Sequence, residues 1–316
     1  MLLGSLRSLA WILDKKPLVR HLRPANSSPS IIMDALDLAT NLRGHGWNWS
    51  RRLYVPPETR PANRIAFVFH TFLSAIAHAL LCGVFHCAAL SLVPVGLGND
   101  PRASTLFDET LPFLVRYLRA GIITVSTALA VYAGQQMFYD LCTIPAILLL
   151  GQDPAQWPPP FDAPWRATSL GDFWGRRWHQ FYRQLFLLVG GYPLSLVLGH
   201  AGIVIGGFLA SGLQHHITLL TFDSQANVWW NLIGFGMMAP GVLAERAFHW
   251  LTGKRVGGVI GWVWTMAWLL VWGSVVFEGF TRAPMDDRST LIDIVPPLRM
   301  MVERLVMGFD EWLHTT

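Results

Sequence analysis

Long apolar runs constrain the fold of this chain more than any other feature. Clear runs lie at residues 65–95, 229–250 and 257–280, and each is long enough at 1.5 Å per residue to cross about 30 Å of hydrocarbon. Hydrophobic residues make up 52% of the 316 residues and charged residues 14%, whereas charged residues average about 25% in soluble domains. The sequence therefore predicts an all-α, polytopic integral membrane helical bundle with the lipid bilayer as its surroundings.

Two further apolar runs are too long for one straight span. Residues 111–150 contain charged side chains and Pro145, which predict an interfacial start followed by a kinked crossing, with a re-entrant hairpin as the alternative. Residues 185–220 are interrupted by several glycines and by Pro193. We expect broken helices there, because such breaks are tolerated where a helix lines a cavity.

The two ends of the chain are less apolar than its centre. Residues 1–64 mix prolines and arginines with a short apolar stretch, and they predict a cytoplasmic or interfacial segment that includes at most a shortened span. Residues 65–280 form the membrane core. Residues 281–316 alternate apolar and charged side chains at helical spacing, so they predict an amphipathic C-terminal tail.

Charge and cysteine content argue against two other classes of protein. The net charge of +4 is scattered over the loops, so no nucleic-acid partner is predicted. Three cysteines give no disulfide framework. We expect no permanently bound cofactor and no metal.

One cluster keeps a metal or haem function open as an alternative. His78, Cys82 and His86 are spaced by four residues and fall on one slowly drifting helix face, and their side chains are ligands that metals and haem iron accept. Helix packing is the competing interpretation, because a single helix seldom supplies a whole site. Metal analysis or a visible absorption spectrum would discriminate between the two.

A polar and aromatic cluster begins at Ser169. Ser169 followed three residues later by Asp172 predicts a capped helix start. If the helix continued, it would carry a polar stripe and an aromatic face and would lie at the membrane surface, where an interfacial anchor is the competing interpretation. The stripe would consist of Asp172, Arg176, His179 and Arg183, and the face of Phe173, Trp174, Trp178, Phe181 and Tyr182.

A second polar cluster, residues 211–216, lies within an apolar run, where polar groups need an internal partner or a wet cavity. Ser211 is one helical turn before His215, so its hydroxyl is expected to orient one imidazole nitrogen and leave the other as a proton acceptor. That arrangement is typical of a general base. His216 is turned by about 100° on the same helix. A histidine hydrogen-bonded between helices without a catalytic role is the competing interpretation.

Two motifs carry a resemblance to a known family. The sequence SLGDFWGRRWH at residues 169–179 resembles the signature of the wax synthase branch of the membrane-bound O-acyltransferases, and SGLQH at 211–215 is similar to the catalytic-histidine segment of that family. The separation of 36 residues between His179 and His215 is close to the family's usual spacing. His216 departs from the acidic residue that plant members carry, and His179 from a frequent Asn.

Two upstream segments extend the resemblance to about residues 31–280. NLRGHGWNW at 41–49 is similar to a segment of fungal members, and WPPPF at 157–161 resembles the proline-rich approach to the core motif.

The resemblance implies an acyltransferase fold and an acyl-CoA-dependent O-acyltransferase of the endoplasmic reticulum membrane. The acceptor would be a lipophilic alcohol, either a terpenoid or other secondary metabolite or a fatty alcohol, and acetyl-CoA or a longer acyl-CoA would be the co-substrate. His215 would be the general base, Ser211 would orient it, and His179 would donate to the developing oxyanion. The residues expected to bind acyl-CoA are Arg176, Arg177, Arg183, Trp174 and Trp178. A non-catalytic, degenerate acyltransferase stays open as a third interpretation.

Overall fold

The computed structural model describes Trp11 and residues 17–23, 30–50, 53–93, 104–283 and 291–315. Helices dominate these residues, and their extended backbone pairs only at an isolated bridge between Arg20 and Trp47. The helices are α1 (Ile31–Thr40), α2 (Arg64–Leu92), α3 (Phe113–Leu148), α4 (Leu170–Asp172), α5 (Arg183–Phe186), α6 (Tyr192–Leu219), α7 (Val228–Gly236), α8 (Met238–Thr252), α9 (Gly258–Thr281) and α10 (Pro296–Thr315). The predicted all-α architecture is confirmed.

Within the described residues, four helical runs are long and apolar enough to cross a membrane. These runs are Arg64–Leu92, Phe113–Leu148, Arg183–Leu219 and Gly258–Thr281. The helix α3 is one continuous helix of 36 residues that includes Pro145, so the alternative of a re-entrant hairpin in this part of the chain is wrong. At 1.5 Å per residue α3 is about 54 Å long and extends beyond the hydrocarbon layer.

The predicted span at residues 229–250 is two helices rather than one. The first of them, α7, ends at Gly236, and α8 begins at Met238, so their lengths are only about 14 Å and about 23 Å. Pro240 explains the interruption, because it has no N–H to bond the Gly236 carbonyl in a continuous helix. The prediction of one span here is wrong, since neither helix reaches across about 30 Å of hydrocarbon by itself.

The run Arg183–Leu219 reverses direction at Gly199. This residue has φ 56° and ψ −138°, a conformation that glycine adopts without a Cβ penalty. Gly190 and Gly206 would be about 24 Å apart in a straight helix, yet a Cβ on either one would collide with the carbonyl of the other. The predicted break is thus confirmed at Gly199. The other two glycines let the two helical legs pack backbone against backbone.

The chain divides into two compact units, and each is described by itself below. The first unit comprises residues 1–71, 141–210 and 239–265, and the second comprises residues 72–140, 211–238 and 266–316. In the second unit, Leu92, Leu106 and Ile123 are almost fully buried together. The division of the sequence into 1–64, 65–280 and 281–316 stays a prediction.

Candidate active site

The Ser169 cluster folds as a short, capped turn in the first unit. The Ser169 hydroxyl accepts the Asp172 N–H at 2.9 Å, as predicted for a helix start. The α-helix then stops after one turn, because Phe173–Arg177 form a π-helical turn and Trp178 is extended, with φ −82° and ψ 149°. The predicted polar stripe through His179 and Arg183 is therefore wrong.

Two side chains bond to polar groups at the end of this turn, in place of the backbone N–H groups that a longer helix would have supplied. The buried Gln180 amide donates to the carbonyls of Trp174 and Trp178, both at 2.8 Å. The Arg177 Nε donates to the Asp172 carboxylate. Side chains thus satisfy two carbonyls at the end of the turn and the carboxylate of its first turn, where further helix would otherwise have supplied backbone partners for the carbonyls.

The arginines predicted to bind acyl-CoA have different surroundings. Arg177, already paired within the turn, also donates to the Asp162 carbonyl at 3.0 Å, so its contacts are those of a structural anchor. The Arg176 guanidinium is exposed and lies 5.6 Å from the centre of the Tyr54 ring. The Tyr54 hydroxyl donates to Asp162 at 2.8 Å, and this hydrogen bond, together with burial, raises the pKa of Tyr54. Arg183 is half-buried at the start of α5.

Glu245 of α8 anchors the start of the Ser169 turn, a role that the sequence analysis missed. Its carboxylate accepts the N–H groups of Leu170 at 2.6 Å and Gly171 at 2.9 Å, and the Trp264 indole N–H at 3.1 Å. A carboxylate is favourable at the N-terminus of a helix, where backbone N–H groups point outward. The sequence does show Glu245 as an acidic residue at the end of an apolar run, but nothing in the sequence indicates which helix it contacts.

Aromatic rings surround His179 in the first unit. The cluster comprises Phe161, Phe173, Trp174, Trp178, His179, Phe181 and Phe208. The His179 ring stacks on Phe181 with 4.6 Å between ring centres. Trp174 meets Phe208 edge to face with 5.6 Å between ring centres. Trp178 stacks on Phe173. The two tryptophans therefore pack inside an aromatic cluster, and their contact with acyl-CoA stays a prediction.

The two upstream segments of the resemblance pack together in the same unit. The buried Arg43 donates to the carbonyls of Pro158 and Pro159, the latter at 2.8 Å. A ring nitrogen of His45, Nε2, lies 3.2 Å from the Ala155 carbonyl. Burial lowers the pKa of His45, against the opposing effect of that hydrogen bond. The segment Arg43–His45 thus holds the proline-rich loop that precedes the Ser169 turn through contacts with its backbone carbonyls.

The second unit holds His215, on α6. Its Nδ1 lies 2.8 Å from the Ser211 backbone carbonyl. A carbonyl can only accept, so Nδ1 carries the proton and Nε2 of the neutral ring presents a lone pair. The imidazole stacks on Phe235 of α7 with 4.2 Å between ring centres. The Ser211 hydroxyl was expected to make this contact, but the carbonyl makes it instead, because a helical carbonyl points toward the residue four positions later.

The neighbours of His215 have separate roles. Gly212 lies where α6 meets α7, since a Cβ there would be 2.7 Å from the Asn231 carbonyl oxygen. The Nδ1 of His216 is buried and has no hydrogen-bond partner within the described part of the chain. His179 belongs to the first unit and His215 to the second.

The alternative metal or haem set does not assemble. Along a helix His78 and His86 are separated by about 12 Å, whereas metal–ligand bonds are about 2 Å long. The Nδ1 of His78 also lies 2.8 Å from the Ser74 carbonyl. In the described ranges no group of three His, Cys, Asp or Glu side chains gathers closely enough to hold a metal ion. The alternative of a metal ion held by His78, Cys82 and His86 together is therefore wrong for these residues, and haem binding through one of them is left untested by this geometry.

The fold and the site together define a class: a multi-pass helical membrane protein with a histidine whose tautomer is fixed for accepting a proton. Residues 157–237, which include both His179 and His215, match the model of the membrane bound O-acyl transferase family. An O-mevalon transferase of Penicillium terrestre is 30% identical over 311 residues, which cover 87% of this chain and 69% of that protein. The chain belongs to the membrane bound O-acyl transferase family and is an acyltransferase.

Other relatives have the same kind of activity in their names. An acetyltransferase of Rhodocybe pseudopiperita is 25% identical over 279 residues, 81% of this chain and 69% of that protein. A long-chain-alcohol O-fatty-acyltransferase of Simmondsia chinensis is 24% identical over 287 residues, 78% of each chain. No solved structure matches the chain significantly.

Proposed function

We propose that this acyltransferase moves an acyl group from acyl-CoA to the hydroxyl of a lipophilic alcohol within the membrane, with His215 as the general base. The observation that carries the proposal is the 2.8 Å contact between His215 Nδ1 and the Ser211 carbonyl. It fixes the tautomer in which Nε2 is the proton acceptor. Within the described residues Nε2 has no hydrogen-bond partner, which supports its availability to a substrate hydroxyl.

The reaction follows from this arrangement. As the hydroxyl oxygen attacks the thioester carbonyl carbon, Nε2 of His215 takes the hydroxyl proton. The carbon–sulfur bond then breaks, and the proton passes to the departing CoA thiolate. Proton transfer by a positioned side chain typically contributes 10² to 10⁴ in rate, so the base is expected to dominate the loss of activity on substitution.

The acceptor is proposed from the relatives. Their names describe transfer of acetyl groups and of fatty acyl groups to a long-chain alcohol, and an O-mevalon transfer. Fatty alcohols are therefore acceptors to test, and the resemblance to fungal members adds terpenoid or other secondary-metabolite alcohols. We further propose the endoplasmic reticulum as the membrane that houses the enzyme.

A microsomal assay tests the activity itself. Membranes that contain the protein are given acetyl-CoA or a long-chain acyl-CoA together with a panel of terpenoid and fatty alcohols, and the ester is measured. Ester formation above that of control membranes is the expected result. Its absence with every pair of substrates would leave the degenerate, non-catalytic interpretation in place.

Three variants of α6 test the base. The His215→Ala protein is expected to lose transfer by about 10² or more, while His216→Ala is expected to cost less. Ser211→Ala should be close to wild type, because the contact to His215 uses the backbone carbonyl that alanine retains. If His216→Ala is inactive and His215→Ala is active, the base has been assigned to the wrong histidine.

Two adjacent arginines test the acyl-CoA contact. We propose that Arg176, which is exposed, meets the CoA phosphates together with Arg183, because a guanidinium matches phosphate geometry. Arg176→Ala should raise the KM for acyl-CoA more than it lowers kcat. Arg177→Ala, which removes the ion pair with Asp172, should lower the unfolding temperature more than it changes the KM for acyl-CoA. An unchanged KM in Arg176→Ala would remove this assignment.

We propose that His179 donates a hydrogen bond to the oxyanion, and only the resemblance to the family supports this role. His179→Ala should then lower kcat without changing acyl-CoA binding. His179→Asn, the residue frequent in the family, should retain more activity than alanine. Equal activity in the two variants would argue for a packing role in the aromatic cluster.

A further inference from the structure

Asn231 of α7 is a buried polar side chain that the proposed chemistry has not used. Its exposed fraction is 0%. Neither its amide nitrogen nor its amide oxygen has a hydrogen-bond partner within the described residues. A buried amide in this condition loses its hydration without compensation. Such a group calls for an explanation, and a hydrogen bond to the substrate during the reaction is one that can be tested.

The position of Asn231 is tied to the candidate base by two contacts between α6 and α7. Gly212 approaches the backbone carbonyl of Asn231 so closely that a Cβ on it would lie 2.7 Å from that oxygen. The His215 ring stacks on Phe235. Gly212 and His215 are three residues apart on α6, and Asn231 and Phe235 are four apart on α7, so each pair shares a helix face. Asn231 therefore lies four residues, about 6 Å along α7, before Phe235, the ring on which the base stacks.

The helix that carries Asn231 is also fixed on its other side. Gly234 meets α9 so closely that a Cβ there would clash with Val276. The carbonyl of Met237, just after α7, accepts the indole N–H of Trp268 at 3.0 Å. A short helix held by glycine contacts and a terminal hydrogen bond supplies the preorganisation that a dipole needs in order to stabilise a developing charge.

We propose that the Asn231 amide Nδ2 donates a hydrogen bond to the thioester carbonyl oxygen as it becomes an oxyanion. This inference rests on the proposed function. The alcohol oxygen forms its bond to the carbonyl carbon, the hydroxyl proton goes to His215 Nε2, and the π-electron pair moves onto the carbonyl oxygen that Asn231 faces. When that pair returns, the carbon–sulfur bond breaks, and the proton passes from His215 to the thiolate. The amide gains no proton and loses none.

An isosteric pair of substitutions tests the donor. Asn231→Leu removes both polar atoms, and Asn231→Asp keeps the shape but replaces the donor with a second acceptor oxygen. Removing an oxyanion donor typically costs 10² to 10³ in kcat, so both variants should lose about that much while the KM for each substrate changes less than about threefold. Asn231→Leu should unfold at the same temperature as the wild type or higher, because it removes an unsatisfied amide.

Asn227, the N-cap of the same helix, provides the matched control. Its side chain accepts the Trp229 N–H at 2.9 Å and is exposed. Asn227→Ala should lower the unfolding temperature by removing the cap and leave kcat per folded molecule within about threefold. A decrease in kcat in Asn227→Ala as large as in Asn231→Leu would show that any disturbance of α7 stops the enzyme, and this would overturn the assignment of Asn231 as a donor.

The outcomes separate this inference from the proposal on which it rests. If wild type transfers acyl groups, His215→Ala does not, and Asn231→Leu keeps kcat within threefold, the Asn231 assignment fails and the proposed function stands. A reduced kcat in Asn231→Leu that is fully explained by loss of folded protein also overturns it, in favour of packing. If wild type transfers nothing to any alcohol, both fail together.

Discussion

Two histidines of the second unit use the same local contact in different surroundings. His78 on α2 and His215 on α6 each follow a serine by four residues, and each places Nδ1 2.8 Å from the carbonyl of that serine. Around His78 the Ser74 hydroxyl also donates to the buried Asp140 carboxylate at 2.6 Å. His215 stacks on the Phe235 ring instead. The contact four residues back sets the tautomer in both.

The difference between the two lies in what the rest of the ring meets. Asp140 also accepts the Gln136 amide at 2.9 Å, so Ser74, Asp140 and Gln136 are joined by hydrogen bonds, and the Tyr132 ring meets the imidazole edge to face. His215 has the Phe235 ring beside it, and the unsatisfied Asn231 side chain lies one turn before Phe235 on α7. Nε2 of each histidine has no hydrogen-bond partner within the described residues, so the two sites differ in the polar network that His78 has beside it and His215 lacks. A network whose members bond one another is typical of a structural role.

The largest expected difference is in the chemical step. His215→Ala should lower kcat by about 10² or more, whereas His78→Ala should leave kcat per folded molecule within about threefold. Both variants are compared in the same microsomes, with the amount of folded protein measured alongside. A loss of similar size in the two variants would mean that the surroundings do not separate a base from a packing histidine.

Removal of Asp140 should affect stability rather than rate. Asp140→Leu leaves the Ser74 hydroxyl and the Gln136 amide without their shared acceptor, at a cost of about 1–3 kcal/mol for each unsatisfied group. The unfolding temperature in detergent should therefore decrease, and Asp140→Asn, which keeps one acceptor oxygen, should decrease it less. An Asp140→Leu protein that is fully folded yet inactive would place this network in the catalytic machinery.

The serines should give the smallest effects and the sharpest contrast. Ser74→Ala removes the hydroxyl that bonds Asp140 and should cost about 1 kcal/mol of stability. Ser211→Ala keeps the carbonyl that bonds His215 and should change neither stability nor kcat measurably. A tenfold loss of kcat in Ser211→Ala would show that its hydroxyl takes part in the reaction after all.

Much of the fold could be predicted from apolar run lengths. The runs near α2, α3 and α9 gave the spans, and the glycines of residues 185–220 indicated a break. The reversal at Gly199 could not be predicted, because it depends on Gly190 and Gly206 meeting across the hairpin, a long-range contact with no local pattern. The prediction of one span at residues 229–250 was wrong because Pro240, near the middle of this apolar run, interrupts the helix.

His215 could be predicted as a site residue from the sequence, whereas the contacts that position the Ser169 turn and the α7 residues near His215 could not. The cap at Ser169 follows from a local pattern, but the end of that helix depends on Gln180 and Arg177 bonding back to the turn. Glu245 lies 75 residues from the N–H of Leu170 that it binds. Asn231 carried no local signal in the sequence, because only burial reveals that its amide has no partner.

The most direct test of the central claim is single-turnover acyl transfer by His215→Gln. Glutamine keeps a side chain of similar size that forms hydrogen bonds but cannot take up a proton near neutral pH. With acetyl-CoA bound at saturation and an accepted alcohol in excess, the variant should bind acetyl-CoA as the wild type does and transfer the acetyl group at least about 10² times more slowly. Transfer within threefold of the wild-type rate would contradict the claim that His215 is the base.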